Sequence, residues 1–333
     1  MRDYKNDNEI VKNEEHFISD TNKIKVSLVI CCWSTSHLLA RSVYTYLQQD
    51  FPVDQWELIV VNDNSPDDVR AAIEPLLGKI NVRYIKLEHT YGIRGNTKSF
   101  NVGFTWANGE ILMESTPEIM FQKTTISDMY TPHLTNERCF VATKTYNLGQ
   151  NDQLLIDTID WKSDVNNIKI LPEFNSAWTQ NNVSNTNFGT HQSCSIRKAV
   201  FYEITKGFGF PLYGGYGEDD PYFHGTRRVN RVKDITIMEP MVFHQWHLSF
   251  QFFASMGYAP MLNKWNHSMS NYMSDESGEV PEGGTCMIWD KGSHELIGDE
   301  EKKAWKGMDD WFIRTGGLPS IIKPRVLSDG TIV

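Results

Sequence analysis

Residues 25–49 read KVSLVICCWSTSHLLARSVYTYLQQ, and residues 57–68 read ELIVVNDNSPDD. Residues 25–32 are apolar at almost every position, the pattern of a strand buried on both faces. Residues 35–49 follow with Leu39, Val43 and Leu47 four apart, the spacing of an amphipathic helix. Residues 57–61 repeat the buried-strand pattern. Ser65-Pro66-Asp67-Asp68 then carries the marks of a helix start. Ser caps, Pro suits the first turn, and acids favour the positive end of the helix dipole. Gly78 can close that helix. Outward from this block, residues 82–88 predict a third strand and residues 95–107 a helix stopped by Asn108-Gly109. Residues 110–114 predict a fourth strand.

That alternation predicts an α/β fold: a mainly parallel central sheet with helices on both faces and right-handed crossovers. Ligands of such sheets bind at the carboxyl ends of the strands. Three groups fall there: residues 32–35, 62–65 and 115–118.

The rest of the chain limits the alternatives. Apolar residues make up 40% and charged residues 22% of 333, enough to bury a core and too apolar for a disordered chain. The 32 cationic side chains face 42 acidic ones, a net charge of −10, which argues against a general nucleic-acid binder. The longest apolar run, residues 26–33, is far short of the roughly 20 residues a membrane helix needs. Residues 1–22 are polar, have no apolar leader core, and read as a loosely packed arm. Five cysteines with no C-x-x-C pair read as reduced thiols of a cytoplasmic protein. Residues 121–188 look irregular, and residues 251–333 read as a C-terminal extension packed on the core.

Two phosphate-binding motifs fail. The turn after the first strand, Cys31-Cys32-Trp33-Ser34-Thr35, holds no glycine, so the dinucleotide fingerprint is missing. Gly92-Ile-Arg-Gly95-Asn-Thr97-Lys98-Ser99 comes near a P-loop, but Thr97 stands where the backbone must admit phosphate.

The stretches VSLVICCWSTSHLLARSVYTYLQQ, ELIVVNDNSPDD and NVGFTWANGEIL, taken in order, resemble the nucleotide-sugar half of family 2-like GT-A glycosyltransferases. Cys194-Ser-Ile-Arg-Lys198, Gly207-Phe208-Gly209 and Gly214-Gly-Tyr-Gly-Glu-Asp-Asp220 resemble the acceptor half. The resemblance implies a Rossmann-like GT-A domain over residues 23–250. Residues 23–121 would hold the donor and residues 122–250 the acceptor. It also implies metal-dependent, inverting transfer from a nucleotide-sugar, expected to be a UDP-sugar, onto a glycan or other hydroxyl compound. The family's D-x-D motif is replaced here by Thr116-Pro117-Glu118. Glu114-Ser115-Thr116 is the alternative register.

The implied roles follow residue by residue. Asp63 would accept the uracil N3–H, assisted by Asn62. Cys32, Trp33, Ser34, Arg94, Asn101 and Thr116 are further expected donor contacts. Glu118 would bind Mn²⁺ or Mg²⁺, hard cations that suit an oxygen-rich site. His244 and His247 would complete that shell. Within Glu218-Asp219-Asp220, Asp219 would be the general base, Glu218 an acceptor ligand and Asp220 the neighbouring candidate. Arg227 and Arg228 could neutralise diphosphate, and Trp246, Tyr213 and Tyr216 could stack on sugars. Each also has a structural reading, as a loop carboxylate, core ring or surface cation. Two other functions compete: transfer onto a hydroxylated base in nucleic acid, and a non-catalytic carbohydrate-binding or scaffold module.

Overall fold

The structure, a computed structural model, describes residues 4–88, 96–169, 172–174, 178–180, 193–207, 209–210, 223, 227 and 230–246. The strands are β1 (Ile10–His16), β2 (Val26–Cys32), β3 (Trp56–Asp63), β4 (Asn81–Leu87), β5 (Ile111–Ser115), β6 (Ile119–Met120), β7 (Cys139–Asn147), β8 (Trp178–Gln180), β9 (Ser193–Arg197) and β10 (Lys233–His244). The helices are α1 (Ser36–Tyr46), α2 (Val69–Ala72), α3 (Thr97–Trp106), α4 (Thr125–Tyr130), α5 (Pro132–Thr135), α6 (Gln150–Ile156) and α7 (Lys198–Ile204). One sheet runs β1-β4-β3-β2-β5-β9-β7-β10-β6, with β8 paired to β7.

The four strands expected from the apolar runs form its parallel block, β4-β3-β2-β5. Period-two alternation explains why these runs have no polar side. Val26, Leu28, Ile30 and Cys32 of β2 join the core beneath α1 and α2. Val29 turns the other way, with Ile59, Val61, Phe100 and Phe104, beneath α3. Each fully buried aliphatic side chain contributes about 1.5–3 kcal/mol. Gly103 lets α3 approach closely: a Cβ there would lie 2.4 Å from Val29 Cγ1.

Three expectations change. Residues 10–16, read as part of a loose arm, form β1, antiparallel to β4 at the sheet edge. Tyr4 is buried in the α3-side core, and Lys98 of α3 bridges Asp7 at 3.1 Å and Glu9 at 3.0 Å. An edge strand needs no apolar run, and charges on it discourage pairing with other chains. The helix expected from Ser65 starts later: Asp68 caps it by accepting from Ala71 N–H. Residues 139–147, within the stretch read as irregular, form the long buried strand β7. Its Thr143, Lys144, Thr145 and Asn147 break the apolar pattern that would have revealed it.

Beyond the parallel block, β9 runs antiparallel between β5 and β7, and β10 is parallel to β7. The end of β10 pairs with β6, His244 opposite Ile119. That pairing carries residues 243–246 to the strand end where the loop after β5 emerges. Among the described residues no helix is long and apolar enough to cross a membrane.

Candidate active site

The register Cys32↔Asn62 and Ile30↔Ser115 brings the three expected groups to one end of the parallel block. The turns after β2 and β3 are bolted together. Asn62 Oδ1 accepts from Ser65 N–H at 2.8 Å, and Ser65 Oγ accepts from Ser34 N–H at 2.6 Å. Ser65 Oγ also donates to Asp67, whose other carboxylate oxygen accepts from Ser36 N–H at 2.8 Å. Asp67 thereby satisfies an orphan amide of the first turn of α1. Ser34 and Asn64 adopt left-handed φ values of 56° and 57°, conformations this latch holds in place.

Asp63, the last residue of β3, is 4% exposed. Asn62 lies beside it with its carboxamide engaged inside the protein, since Nδ2 donates to the Tyr84 hydroxyl at 2.9 Å. The Cys32 side chain is wholly buried in the α1-side core, where burial pushes its thiol pKa up. Trp33 is half-buried. The hydroxyls of Ser34 and Thr116 are buried and, among the described residues, have no hydrogen-bond partner. Two orphan hydroxyls at the ends of β2 and β5 are the kind of group a polar ligand satisfies.

Glu118 and His244 meet. His244 Nε2 lies 3.5 Å from Glu118 Oε1, and the two side chains are 14% and 13% exposed. The alternative ligand, Glu114, is placed differently. It sits within β5, paired with Cys194, and shares a sheet face with Leu112 on the α3 side. No cluster of three or more His, Cys, Asp or Glu side chains suited to a metal occurs among the described residues.

Asn101, expected to touch the donor, is committed elsewhere. Its Nδ2 donates to Phe210 O at 2.8 Å, and its Oδ1 accepts from Phe210 N–H at 2.8 Å. Arg227 is also not a surface cation: it is 1% exposed, and its guanidinium carbon lies 3.6 Å from the centre of the Phe140 ring. Trp246 donates its backbone N–H to Gln153 Oε1 at 3.2 Å. Arg94, Tyr213, Tyr216, Glu218, Asp219, Asp220, Arg228 and His247 lie outside the described residues. Sequence reading missed Ser42 and Gln245, both buried beside the Glu118 loop. Neither belongs to a motif, and only the approach of β10 to α1 makes them neighbours.

A stretch of 105 residues is 27% identical to poly(ribitol-phosphate) beta-N-acetylglucosaminyltransferase TarS of Staphylococcus aureus. That stretch is 32% of this chain and spans only 18% of the relative's length. The structure resembles that of S. aureus TarS 1-349 in complex with UDP-GlcNAc, with a TM-score of 0.55 and 14% identity. The likeness covers 85% of this chain and 79% of that one. It also resembles the mannosyltransferase PcManGT from Pyrobaculum calidifontis in complex with GDP-Man and Mn²⁺, with a TM-score of 0.51 and 13% identity. Here 92% of this chain and 81% of that one are covered. At these identities the structural likeness establishes the GT-A fold. Residues 27–205 match the sequence profile of glycosyl transferase family 2, and the chain belongs to that family.

Proposed function

We propose that this glycosyltransferase moves a sugar from a UDP-sugar to an acceptor hydroxyl, with inversion, using a divalent cation held by Glu118 and His244. The observation that carries the reading is the 3.5 Å approach of a carboxylate and an imidazole at the carboxyl ends of the parallel strands. The donor set fits Mn²⁺ or Mg²⁺: two protein ligands leave positions for diphosphate oxygens and water. Such a cation offsets the charge that develops on a departing diphosphate. Asp63, nearly buried at the end of β3, supplies the carboxylate that selects uracil through its N–H. The buried hydroxyls of Ser34 and Thr116 are available to donor oxygens. UDP-GlcNAc is bound in the TarS complex and Mn²⁺ in the PcManGT complex, which supports this assignment.

The remaining part is a proton acceptor. A single carboxylate base is expected for direct displacement with inversion, and we assign it to Asp219 within Glu218-Asp219-Asp220. Calorimetric titration of UDP with Mn²⁺ and with EDTA tests the reading. Binding should weaken at least tenfold in EDTA, and equally on Glu118→Gln or His244→Ala with Mn²⁺ present. Full UDP affinity in EDTA removes the cation from the mechanism.

A further inference from the structure

Gln245 follows His244 directly and is fully buried although polar. Its backbone N–H donates to the carbonyl of Glu118 at 3.0 Å. Its carboxamide turns the opposite way, into α1. There Nε2 donates to the Leu38 carbonyl at 3.1 Å and to Ser42 Oγ at 3.0 Å. Oε1 accepts from Arg41 Nε at 2.6 Å. Ser42 Oγ in turn donates to the carbonyl of Pro117 at 2.8 Å.

These bonds form a closed circuit. From Gln245 it passes through Ser42 to the Pro117 carbonyl, and it returns from the Glu118 carbonyl to the Gln245 amide. The two carbonyls belong to the peptide planes on either side of the Glu118 Cα. Holding both planes fixes the direction in which the Glu118 side chain leaves the backbone. His244 is the residue before Gln245, and its own carbonyl accepts from Leu148 N–H at 3.0 Å. One buried residue therefore holds both planes, the Glu118 carbonyl through its backbone amide and the Pro117 carbonyl through its carboxamide and Ser42, and it borders His244. Burying a carboxamide costs free energy unless its groups are paired, and here both ends are paired.

We propose that Gln245, acting with Ser42, is a positioning residue that presets the Glu118–His244 pair to share one cation. This rests on the cation reading given above. Groups that orient metal ligands typically change metal affinity 10–100-fold when removed. A glutamine that only stabilised the core would leave that affinity alone.

The test measures Mn²⁺ affinity by calorimetry in the presence of UDP, with thermal melting of the metal-free protein alongside. Gln245→Met keeps the shape and the backbone bond to Glu118 and removes the three carboxamide bonds to Leu38, Ser42 and Arg41. It should lower Mn²⁺ affinity 10–100-fold and leave UDP affinity in EDTA unchanged. Ser42→Ala should move Mn²⁺ affinity in the same direction by less. In a Glu118→Gln background, Gln245→Met should cause no further loss, because the ligand it orients is already disabled. Wild-type Mn²⁺ affinity in folded Gln245→Met and Ser42→Ala overturns the proposal. Should Gln245→Met fail to fold, unchanged affinity in Ser42→Ala overturns it alone. If the wild type binds UDP equally well with and without Mn²⁺, the cation reading falls, and this proposal falls with it.

Discussion

The rings of Phe210 and Phe223, which flank residues 211–222 in the sequence, meet edge to face with centroids 5.0 Å apart. Residues 211–222 carry Glu218, Asp219 and Asp220. Phe210 has a second anchor, the paired hydrogen bonds between the Asn101 carboxamide and its backbone. Gly209 makes room for it: its φ is +84°, and a Cβ there would lie 2.3 Å from Asn101 Oδ1.

Removing this anchor should therefore affect chemistry more than donor binding. Asn101→Ala leaves a buried N–H and a buried carbonyl unpaired, each costing about 1–3 kcal/mol. Thermal melting should show that loss, and Gly209→Ala should show a similar one from strain and clash. Turnover should fall more than UDP affinity in both. A stable Asn101→Ala variant with full turnover would free Asn101 of the anchoring role.

Asp63 tests the donor assignment. If its carboxylate accepts the uracil N–H, Asp63→Ala should cost UDP about 1–3 kcal/mol of binding. Pyrophosphate, which lacks the base, should bind as before. Equal weakening of both ligands would assign Asp63 to the fold instead of to uracil.

Asp219 tests the base. Asp219→Asn keeps the size and removes the proton-accepting charge, so transfer should fall about 10²–10⁴-fold. UDP affinity should stay close to wild type, because the diphosphate is assigned to Glu118 and His244. A dead Asp220→Asn beside an active Asp219→Asn would move the base by one residue. Full activity in both would remove this acidic segment from the mechanism.

His133 makes stability depend on pH. It is fully buried, with Nε2 2.9 Å from Ser195 Oγ and Nδ1 3.3 Å from Cys139 Sγ. Ser195 Oγ donates to the Met129 carbonyl, which assigns the ring proton to Nε2. Protonation of Nδ1 would bury a charge beside a thiol. Burial, and then the Arg197 guanidinium, hold the imidazole down to about 4 from its ordinary 6.5. A base whose folded pKa is depressed contributes fully above its unfolded value. That contribution is lost as pH falls from about 6.5 towards 4, in total on the order of 3 kcal/mol. Denaturant unfolding at pH 7.5, 6 and 5 should show a steeper loss for the wild type than for His133→Gln. Parallel profiles would mean that His133 does not titrate in this way.

Most of the parallel block was legible in the chain itself. Residues 25–32, 57–61, 82–88 and 110–114 bury both faces of a strand, and such burial demands an unbroken apolar run that any reader can see. The strand-end groups followed from the alternation, and with them the expectation that Asp63 and Glu118 lie at one end of the sheet. The Asn62–Ser65 turn was visible in kind but misread in detail. Ser65 could cap a helix or bridge to Ser34, and only the neighbouring strand chose the bridge.

What the chain alone left open was every feature made by distant segments. β1 lies at an edge, where polar residues are tolerated, and β7 carries threonines in a buried position, so neither has the apolar signature of its role. The approach of His244 to Glu118 depends on β10 crossing to β6, and it brings Gln245 against Ser42 of α1. Asn101 could equally have faced a donor. Its partner is a backbone group far along the chain, and a carboxamide has the same composition whichever it binds. Local patterns record burial and turn geometry. Pairing between distant segments was decided only when the whole sheet closed, because its energy comes from contacts no short stretch contains.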